Sequence, residues 1–217
     1  MVREKYPGAE IFLPDRLTQP KLREAVQDCR GCPLYLGATQ AVFGEGPRNA
    51  RIMLIGEQPG DREDVEGHPF VGPAGKLLDR ALEEAGLARG AVYITNAVKH
   101  FHFETRGKFR LHKRPPAPAV RACRPWLDAE LKVLEPEVVV VLGATAAQAI
   151  LGSSFRVTQD RGKVITHSIA PALIATLHPS AILRAPDPAA REASYRLLVT
   201  DLKLAAKRAK AAAGKTR

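Results

Sequence analysis

The sequence contains few cysteines and no long apolar stretch. Only three cysteines occur among 217 residues, an odd number that cannot complete a disulfide framework and that favours a reducing, cytoplasmic setting. No apolar run approaches the roughly 20 residues that a membrane-spanning helix needs. Residues 1–14 carry charges and prolines instead of an apolar signal core, so we expect neither secretion nor contact with a membrane.

Acidic residues are also in the minority, because 33 Lys and Arg stand against 23 Asp and Glu, a net charge of +10. Such an excess points to a polyanionic partner. Six of the ten excess charges, however, lie in residues 202–217, where no acidic residue occurs. We therefore expect residues 210–217 to be a frayed basic helix end, with a nucleic-acid-binding arm as the alternative.

Apolar stretches alternate with helical patterns along the whole chain. Four strands are predicted at 51–56, 91–96, 137–143 and 172–177, and helices at 21–28, 74–85, 120–134, 144–151 and 188–209. Residues 63–73 and 100–118 read as loops, and 155–166 as a hairpin. This alternation predicts one α/β domain over residues 1–217 with an N-terminal extension at 1–20. Its architecture is an α/β/α sandwich around a central four-stranded parallel sheet.

Three of the four predicted strands end in hydrogen-bonding side chains. Glu57 and Gln58 follow the first strand, Asn96 ends the second, and His178 follows the fourth. Ligands of open parallel sheets bind beyond the carboxyl ends of the strands. One polar strand end alone often only caps a turn, but three at one sheet edge predict a binding site.

Two of the cysteines form a C-x-x-C pair. Cys29 and Cys32 have the spacing of metal ligands, because two intervening residues let both sulfurs face one ion. Cys123 is the third cysteine. The alternative is three reduced cysteines buried as small apolar side chains.

Four motifs and one insertion resemble a known family. The motifs GEQPG at 56–60, PFVGPAGKLLD at 69–79, TNAVKH at 95–100 and HPSAILR at 178–184 resemble the uracil-DNA glycosylase superfamily. More narrowly, they are similar to the bacterial iron-sulfur branch related to family four. The segment RGKFRLH at 106–112 resembles the insertion of the X-type members, which become covalently joined to uracil-containing DNA. This chain departs from that insertion in having Phe109 and Leu111 around Arg110.

The resemblance implies that uracil is flipped out of the DNA and excised. Excision requires the base to leave the stack, where the bond from N1 to C1′ is out of reach. By resemblance, Phe70 stacks on the base, Asn96 reads O4 and N3–H, and His178 donates to O2. Gly56 and the backbone of Gln58 approach the base closely.

The resemblance further implies that His112 attacks C1′ of the deoxyribose, with Glu57 accepting the other ring N–H. A neutral imidazole is a competent nucleophile, and its product has a poor leaving group, so we expect a single-turnover trap. A conventional glycosylase that activates water is the first alternative, and a non-catalytic DNA-binding module is the second. A nucleotide-cofactor enzyme is disfavoured because no G-x-G-x-x-G follows the first strand.

The family's cluster has four ligands, which the resemblance places at Cys29, Cys32, His100 and Cys123, with His102 as a rival fourth. These would hold a [4Fe–4S] cluster, and spacing alone leaves zinc as the alternative. We expect a monomer whose partner is uracil-containing DNA, with single strands preferred. The candidate DNA contacts are Arg106, Lys108, Arg110, Lys113, Ser180 and Arg184.

Overall fold

A computed structural model describes residues 6–213 and shows an α/β architecture. The predicted tail at 210–217 and the extension at 1–20 therefore lie partly outside the described residues. The strands are β1 Ile52–Gly56, β2 Tyr93–Asn96, β3 Phe103–Arg106, β4 Phe109–His112, β5 Val138–Leu142, β6 Val164–His167 and β7 Ala170–Thr176. The helices are α1 Gln19–Ala25, α2 Asp61–Glu66, α3 Pro73–Glu84, α4 Ala117–Leu134, α5 Gly143–Leu151, α6 Val157–Asp160, α7 Pro179–Leu183 and α8 Pro188–Ala213.

The main sheet has the strand order β2-β1-β5-β7-β6. The first four strands are parallel, as predicted, and are nearly or wholly buried, because helices cover both faces. The prediction of four strands was incomplete, since β6 adds an antiparallel edge strand to β7. Because all four parallel strands run the same way, their polar carboxyl ends meet at one edge.

Each face of the sheet has its own apolar core. One core packs α3 and α8 against one face, with Leu78, Leu82, Leu198 and Leu202 fully buried. The inward positions predicted for α8 are all buried: Tyr195, Leu198, Leu202 and Ala205. The second core places α4 and α5 on the other face. The sequence period of these helices therefore identified their buried sides correctly.

Three connecting segments differ from their predicted form. The loop at 63–73 overlaps α2, a short helix whose residues are mostly polar and give no apolar period. The hairpin predicted at 155–166 is wrong, because residues 157–160 form α6 and β6 instead pairs with β7. The basic loop at 100–118 contains an antiparallel hairpin, β3–β4, which is called the active-site hairpin below.

A third apolar cluster joins the N-terminal segment to α4. Trp126 is fully buried there, and Cys29 and Cys123 belong to the same cluster. Within the described residues, no helix combines the length and apolarity needed to cross a membrane. The cluster fixes the N-terminal cysteines beside α4, close to the start of the active-site hairpin.

Candidate active site

Two of the three predicted polar strand ends line a cavity of about 310 Å³ beyond the carboxyl edge of the sheet, and Asn96 is not among its lining residues. Glu57 and Gln58 line it after β1, and His178 lines it after β7. His112, at the end of the active-site hairpin, and Arg184, after α7, complete the opening. One cavity therefore collects a carboxylate, an amide, two imidazoles and, with Arg114, two guanidinium groups.

His112 faces Glu57 across this cavity. Its Nε2 lies 3.5 Å from Oε1 of Glu57, and about half of the His112 side chain is exposed. The other carboxylate oxygen of Glu57 accepts a hydrogen bond from Thr145 Oγ1, on the first turn of α5. Glu57 is thus held from the side opposite His112, which fixes the direction of its free oxygen.

The imidazole of His112 favours its neutral form. Burial lowers its pKa below 6.5, the Glu57 carboxylate raises it, and Arg184 and His102 lower it further. The net shift is downward. At neutral pH the ring therefore offers a lone pair on one nitrogen and an N–H on the other.

His178 presents a defined tautomer. Its Nδ1 accepts a hydrogen bond from the backbone N–H of Ser180 at 3.1 Å and lies 2.8 Å from the Ser180 hydroxyl. Burial lowers its pKa to about 4, helped by His112 and Arg184. Since Nδ1 is the acceptor in a neutral ring, the proton resides on Nε2, and His178 is a hydrogen-bond donor.

Asn96 is buried and unsatisfied. Its side chain is 1% exposed, and neither Oδ1 nor Nδ2 has a hydrogen-bond partner among residues 6–213. A buried polar group without a partner costs about 1–3 kcal/mol. The amide stands over Gly56, where a Cβ would collide with both Oδ1 of Asn96 and the ring of Phe70. Only glycine therefore fits at position 56, where Asn96 and Phe70 both contact the backbone closely.

Phe70 is held in a strained conformation beside this amide. It has φ 58°, which is uncommon outside glycine, and its ring centroid lies 5.8 Å from that of His178. Its carbonyl packs directly on Gly75, where no side chain could fit. Glu63 accepts hydrogen bonds from the backbone N–H groups of Gly60 and Phe70, and burial raises its pKa to about 7.

Gln58 has a role that its position in the sequence did not reveal. Its Nε2 donates to the carbonyls of His102 and Lys113 at 3.0 Å each, and its Oε1 accepts from His102 N–H at 3.2 Å. The side chain therefore clamps both ends of the active-site hairpin. This leaves only the backbone of Gln58 for contact with a base.

The candidate DNA-contacting residues occupy different environments. Arg106 and Lys108 are exposed at the far end of the hairpin. Lys113 pairs with Glu104 at 2.8 Å, and the polar atoms of Ser180 bond to His178. Arg110 instead forms two 2.6 Å ion pairs, with Asp61 and Asp64 of α2.

Arg110 also stacks against two rings. Its guanidinium lies 5.5 Å from the ring of Phe101 and 5.1 Å from that of Phe103, and only 23% of the side chain is exposed. These contacts fasten the active-site hairpin to α2. The sequence showed Arg110 as one of many basic residues and gave no signal for its partners.

The candidate cluster ligands are all buried. Cys29, Cys32, His100 and Cys123 are each at most 6% exposed. Burial raises the pKa of the Cys123 thiol, and the charges of Cys32 and Cys29 raise it further. No three His, Cys, Asp or Glu side chains in the described part of the chain are close enough to hold a single metal ion. His102 Nδ1 lies 3.0 Å from the carbonyl of Arg114 and points elsewhere.

Two backbone and ring donors already point at these sulfurs. The Lys99 N–H donates to Cys123 Sγ at 3.3 Å, and Trp126 Nε1–H donates to Cys29 Sγ at 3.1 Å. Donors to sulfur stabilise thiolate ligands and tune iron–sulfur groups. The chemistry of these side chains suits a cluster, but among residues 6–213 they form no clear cluster site.

Comparisons with known proteins agree with this geometry. Residues 43–203 match the sequence profile of the Uracil DNA glycosylase superfamily. The Type-4 uracil-DNA glycosylase of Thermotoga maritima is 41% identical over 163 residues, covering 74% of this chain and 81% of that protein. The Type-4 uracil-DNA glycosylases of Pyrobaculum aerophilum and Sulfurisphaera tokodaii are each 38% identical, covering 76% and 77% of this chain and 85% and 76% of those proteins.

Proposed function

The chain belongs to the uracil-DNA glycosylase superfamily, and we propose that it excises uracil from DNA during repair and then captures the sugar on His112. The observation that carries the proposal is the pairing of His112 with Glu57 at the mouth of a cavity that also holds a donor His178. Membership of the superfamily supports the proposed excision of uracil. The hairpin that delivers His112 supports the capture.

Recognition of the base uses groups that lack other partners. The unsatisfied amide of Asn96 supplies a donor for O4 and an acceptor for N3–H of uracil. Phe70 supplies an aromatic face beside it. A flipped uracil would satisfy both amide atoms at once, which removes the cost of burying them unpaired.

Cleavage of the glycosidic bond leaves positive charge on the sugar and negative charge on uracil. The Nε2–H of His178 is directed to stabilise the anion at O2, as an oxyanion-hole donor does. The carboxylate of Glu57 favours the cation. Both groups are held before substrate arrives, since His178 bonds to Ser180 and Glu57 bonds to Thr145.

Capture follows when an imidazole nitrogen of His112 meets C1′. A bond forms from that nitrogen to C1′, the bond from C1′ to N1 breaks, and its electron pair leaves with uracil. Glu57 accepts the N–H of the other ring nitrogen. The distance of 3.5 Å is long for a hydrogen bond, as is common before substrate tightens a site. The bond between C1′ and the imidazole has a poor leaving group, so one turnover is expected.

The test is a denaturing gel of the protein incubated with a uracil-containing single-stranded oligonucleotide. A shifted band that survives heat and detergent, mapped by peptide analysis to His112, is the expected result. His112→Ser removes the nucleophile and should yield free abasic DNA with repeated turnover. Free abasic DNA from the unaltered protein would instead identify a conventional glycosylase that uses water. Binding without either product would identify a non-catalytic DNA module.

A [4Fe–4S] cluster on Cys29, Cys32, His100 and Cys123 is part of the proposal. The Type-4 relatives, the burial of the three thiols and the donors to Cys29 and Cys123 support it, and zinc is the alternative. When bound, the cluster would tie the N-terminal segment to α4 and to the base of the hairpin. The visible absorption spectrum and the iron and sulfide content of the purified protein test for the cluster. Stoichiometric zinc without iron would refute it.

We also propose a preference for single-stranded DNA and a monomeric state. An exposed hairpin carrying Arg106 and Lys108 suits an accessible single strand, which needs no unpairing before the base enters. Competition between single-stranded and duplex uracil DNA tests this preference.

Light scattering tests the expected monomer, and we place the protein in the cytoplasm on the basis of its reduced cysteines.

A further inference from the structure

A second and larger cavity continues from the active site. It has a volume of about 790 Å³ and lies between the chain after the hairpin, the first half of α4, and α5. Arg114 and Thr145 line both this groove and the active-site cavity. The two cavities are therefore adjacent at Arg114, two residues after His112.

The groove is basic, and no acidic side chain lines it. Arg114, Arg121 and Arg124 contribute its charges, while Pro115, Pro116 and Val120 provide an apolar wall. Arg114 donates to Gln148 Oε1 at 2.9 Å, and Arg124 bonds to Asp128 and to the carbonyl of Ala149. Arg121 is exposed and has no hydrogen bond or ion pair within the described residues.

We propose that this groove binds the DNA strand on one side of the flipped nucleotide. The proposal rests on the proposed function, because a nucleotide in the active site stays joined to its strand, which must leave through an opening. The groove adjoins the active-site cavity at Arg114 and is the path that the proposal assigns to the strand. Its arginines would pair with backbone phosphates, and its prolines would contact sugars. Since no aromatic side chain lines it, we expect contacts that are independent of sequence.

The first experiment measures binding by fluorescence anisotropy. The probes are single strands with uracil at the 5′ end, at the 3′ end or in the middle, each also made with thymine. We expect extension on one side only to raise affinity. Arg121→Glu should remove that gain, about fivefold to tenfold at low salt. Each lost phosphate contact should reduce the salt slope by about 0.7.

Lys132→Glu is the matched control, because Lys132 is exposed on the same helix but far from the groove. A second variant, Arg121→Ala with Arg124→Ala, removes the positive charges without introducing a negative one. The melting temperature of each variant shows whether it is folded. Equal losses for Arg121→Glu and Lys132→Glu would overturn the proposal. So would a loss that is the same for strands extended on either side.

The thymine strands separate this inference from the proposed function. If the protein neither excises nor captures uracil, the groove should still bind a plain single strand through Arg121. Excision without any effect of Arg121→Glu on strand affinity would refute the groove and leave the glycosylase intact.

Discussion

At the scale of single residues, the protonation of His112 sets the pH range of capture. Attack requires the neutral ring, and burial together with Arg184 and His102 lowers the pKa of His112 below 6.5. Capture should therefore exceed half of its full rate at pH 6.5 and decline in more acidic solution, with an inflection below 6.5. Quench-flow or gel quantification of the covalent product from pH 4.5 to 8 measures it.

The excision rate of His112→Ser over the same pH range is the control, because it reports on the remaining groups. An inflection at or above pH 7 in the unaltered protein, absent from the variant, would contradict the downward shift of the His112 pKa.

Lys99 is a second residue whose individual contribution can be tested. It is fully buried, forms an ion pair with the equally buried Glu130, and donates to Thr95 Oγ1 and to the carbonyl of Asn96. Lys99→Met leaves the charge of Glu130 without its partner, and breaking a buried pair in this way costs about 3–5 kcal/mol. The free energy of unfolding in denaturant measures the loss.

A second substitution distinguishes lost charge pairing from lost packing. Glu130 also accepts hydrogen bonds from Tyr93 and from the Gly44 N–H, and an amide would keep an acceptor there. Lys99→Met combined with Glu130→Gln should therefore recover part of the stability. A double variant no more stable than Lys99→Met alone would contradict the charge argument.

At the scale of elements, Arg110 decides whether the active-site hairpin holds His112 in place. Arg110→Ala removes both ion pairs to α2, and we expect covalent capture to fall at least tenfold while DNA affinity falls much less. The ratio of capture to excision, measured on one oligonucleotide, reports the effect. Arg106→Ala is the matched control, because Arg106 lies in the same hairpin, is exposed and has no ion pair among the described residues.

The control should show the opposite pattern, with weaker and less salt-dependent DNA binding but an unchanged ratio of capture to excision. Equal effects of the two variants on DNA affinity would instead return Arg110 to the group of phosphate-contacting residues. Arg110→Lys, which keeps the charge but cannot bridge Asp61 and Asp64 in the same way, should lie between them.

Some helices and strands could be predicted from the sequence, and others could not. β1 and β5 were predicted because uninterrupted apolar runs mark strands that are buried on both faces. α2 was missed because it is short and mostly charged, and β3 and β4 were missed because each has only four residues, most of them exposed. The clamp of Gln58 on His102 and Lys113 joins residues 44 and 55 positions apart, a distance that no local pattern records.

At the scale of the whole molecule, two buried groups with opposite pKa shifts, His178 and Glu63, contribute opposite slopes to the dependence of stability on pH. The pKa of His178 falls from 6.5 to about 4, so its stabilisation is present above pH 6.5 and is lost as pH falls. The pKa of Glu63 rises from 4.5 to about 7, so its stabilisation is present below pH 4.5 and is lost as pH rises. Between pH 5 and 6.5 the two nearly cancel.

Substitution of either residue should expose the pH dependence of stability that the other contributes. Relative to the unaltered protein, Glu63→Gln should lose stability as pH falls from 6.5 to 5, by up to about 1.4 kcal/mol per pH unit. His178→Gln should change in the opposite direction. Denaturant unfolding at a series of pH values measures both slopes, and slopes of the same sign would contradict the assignment of the two shifts.

The active-site hairpin enters and leaves the domain at a single point. The backbone N–H of Lys113 donates to the carbonyl of His102 at 3.0 Å, and Gln58 bridges the same two residues. Removal of residues 103–112 would therefore leave two chain ends that already touch. In evolutionary terms, and on the mechanism proposed above, the gain or loss of covalent capture needs one insertion or deletion in the gene. The pocket that recognises the base would stay unaltered.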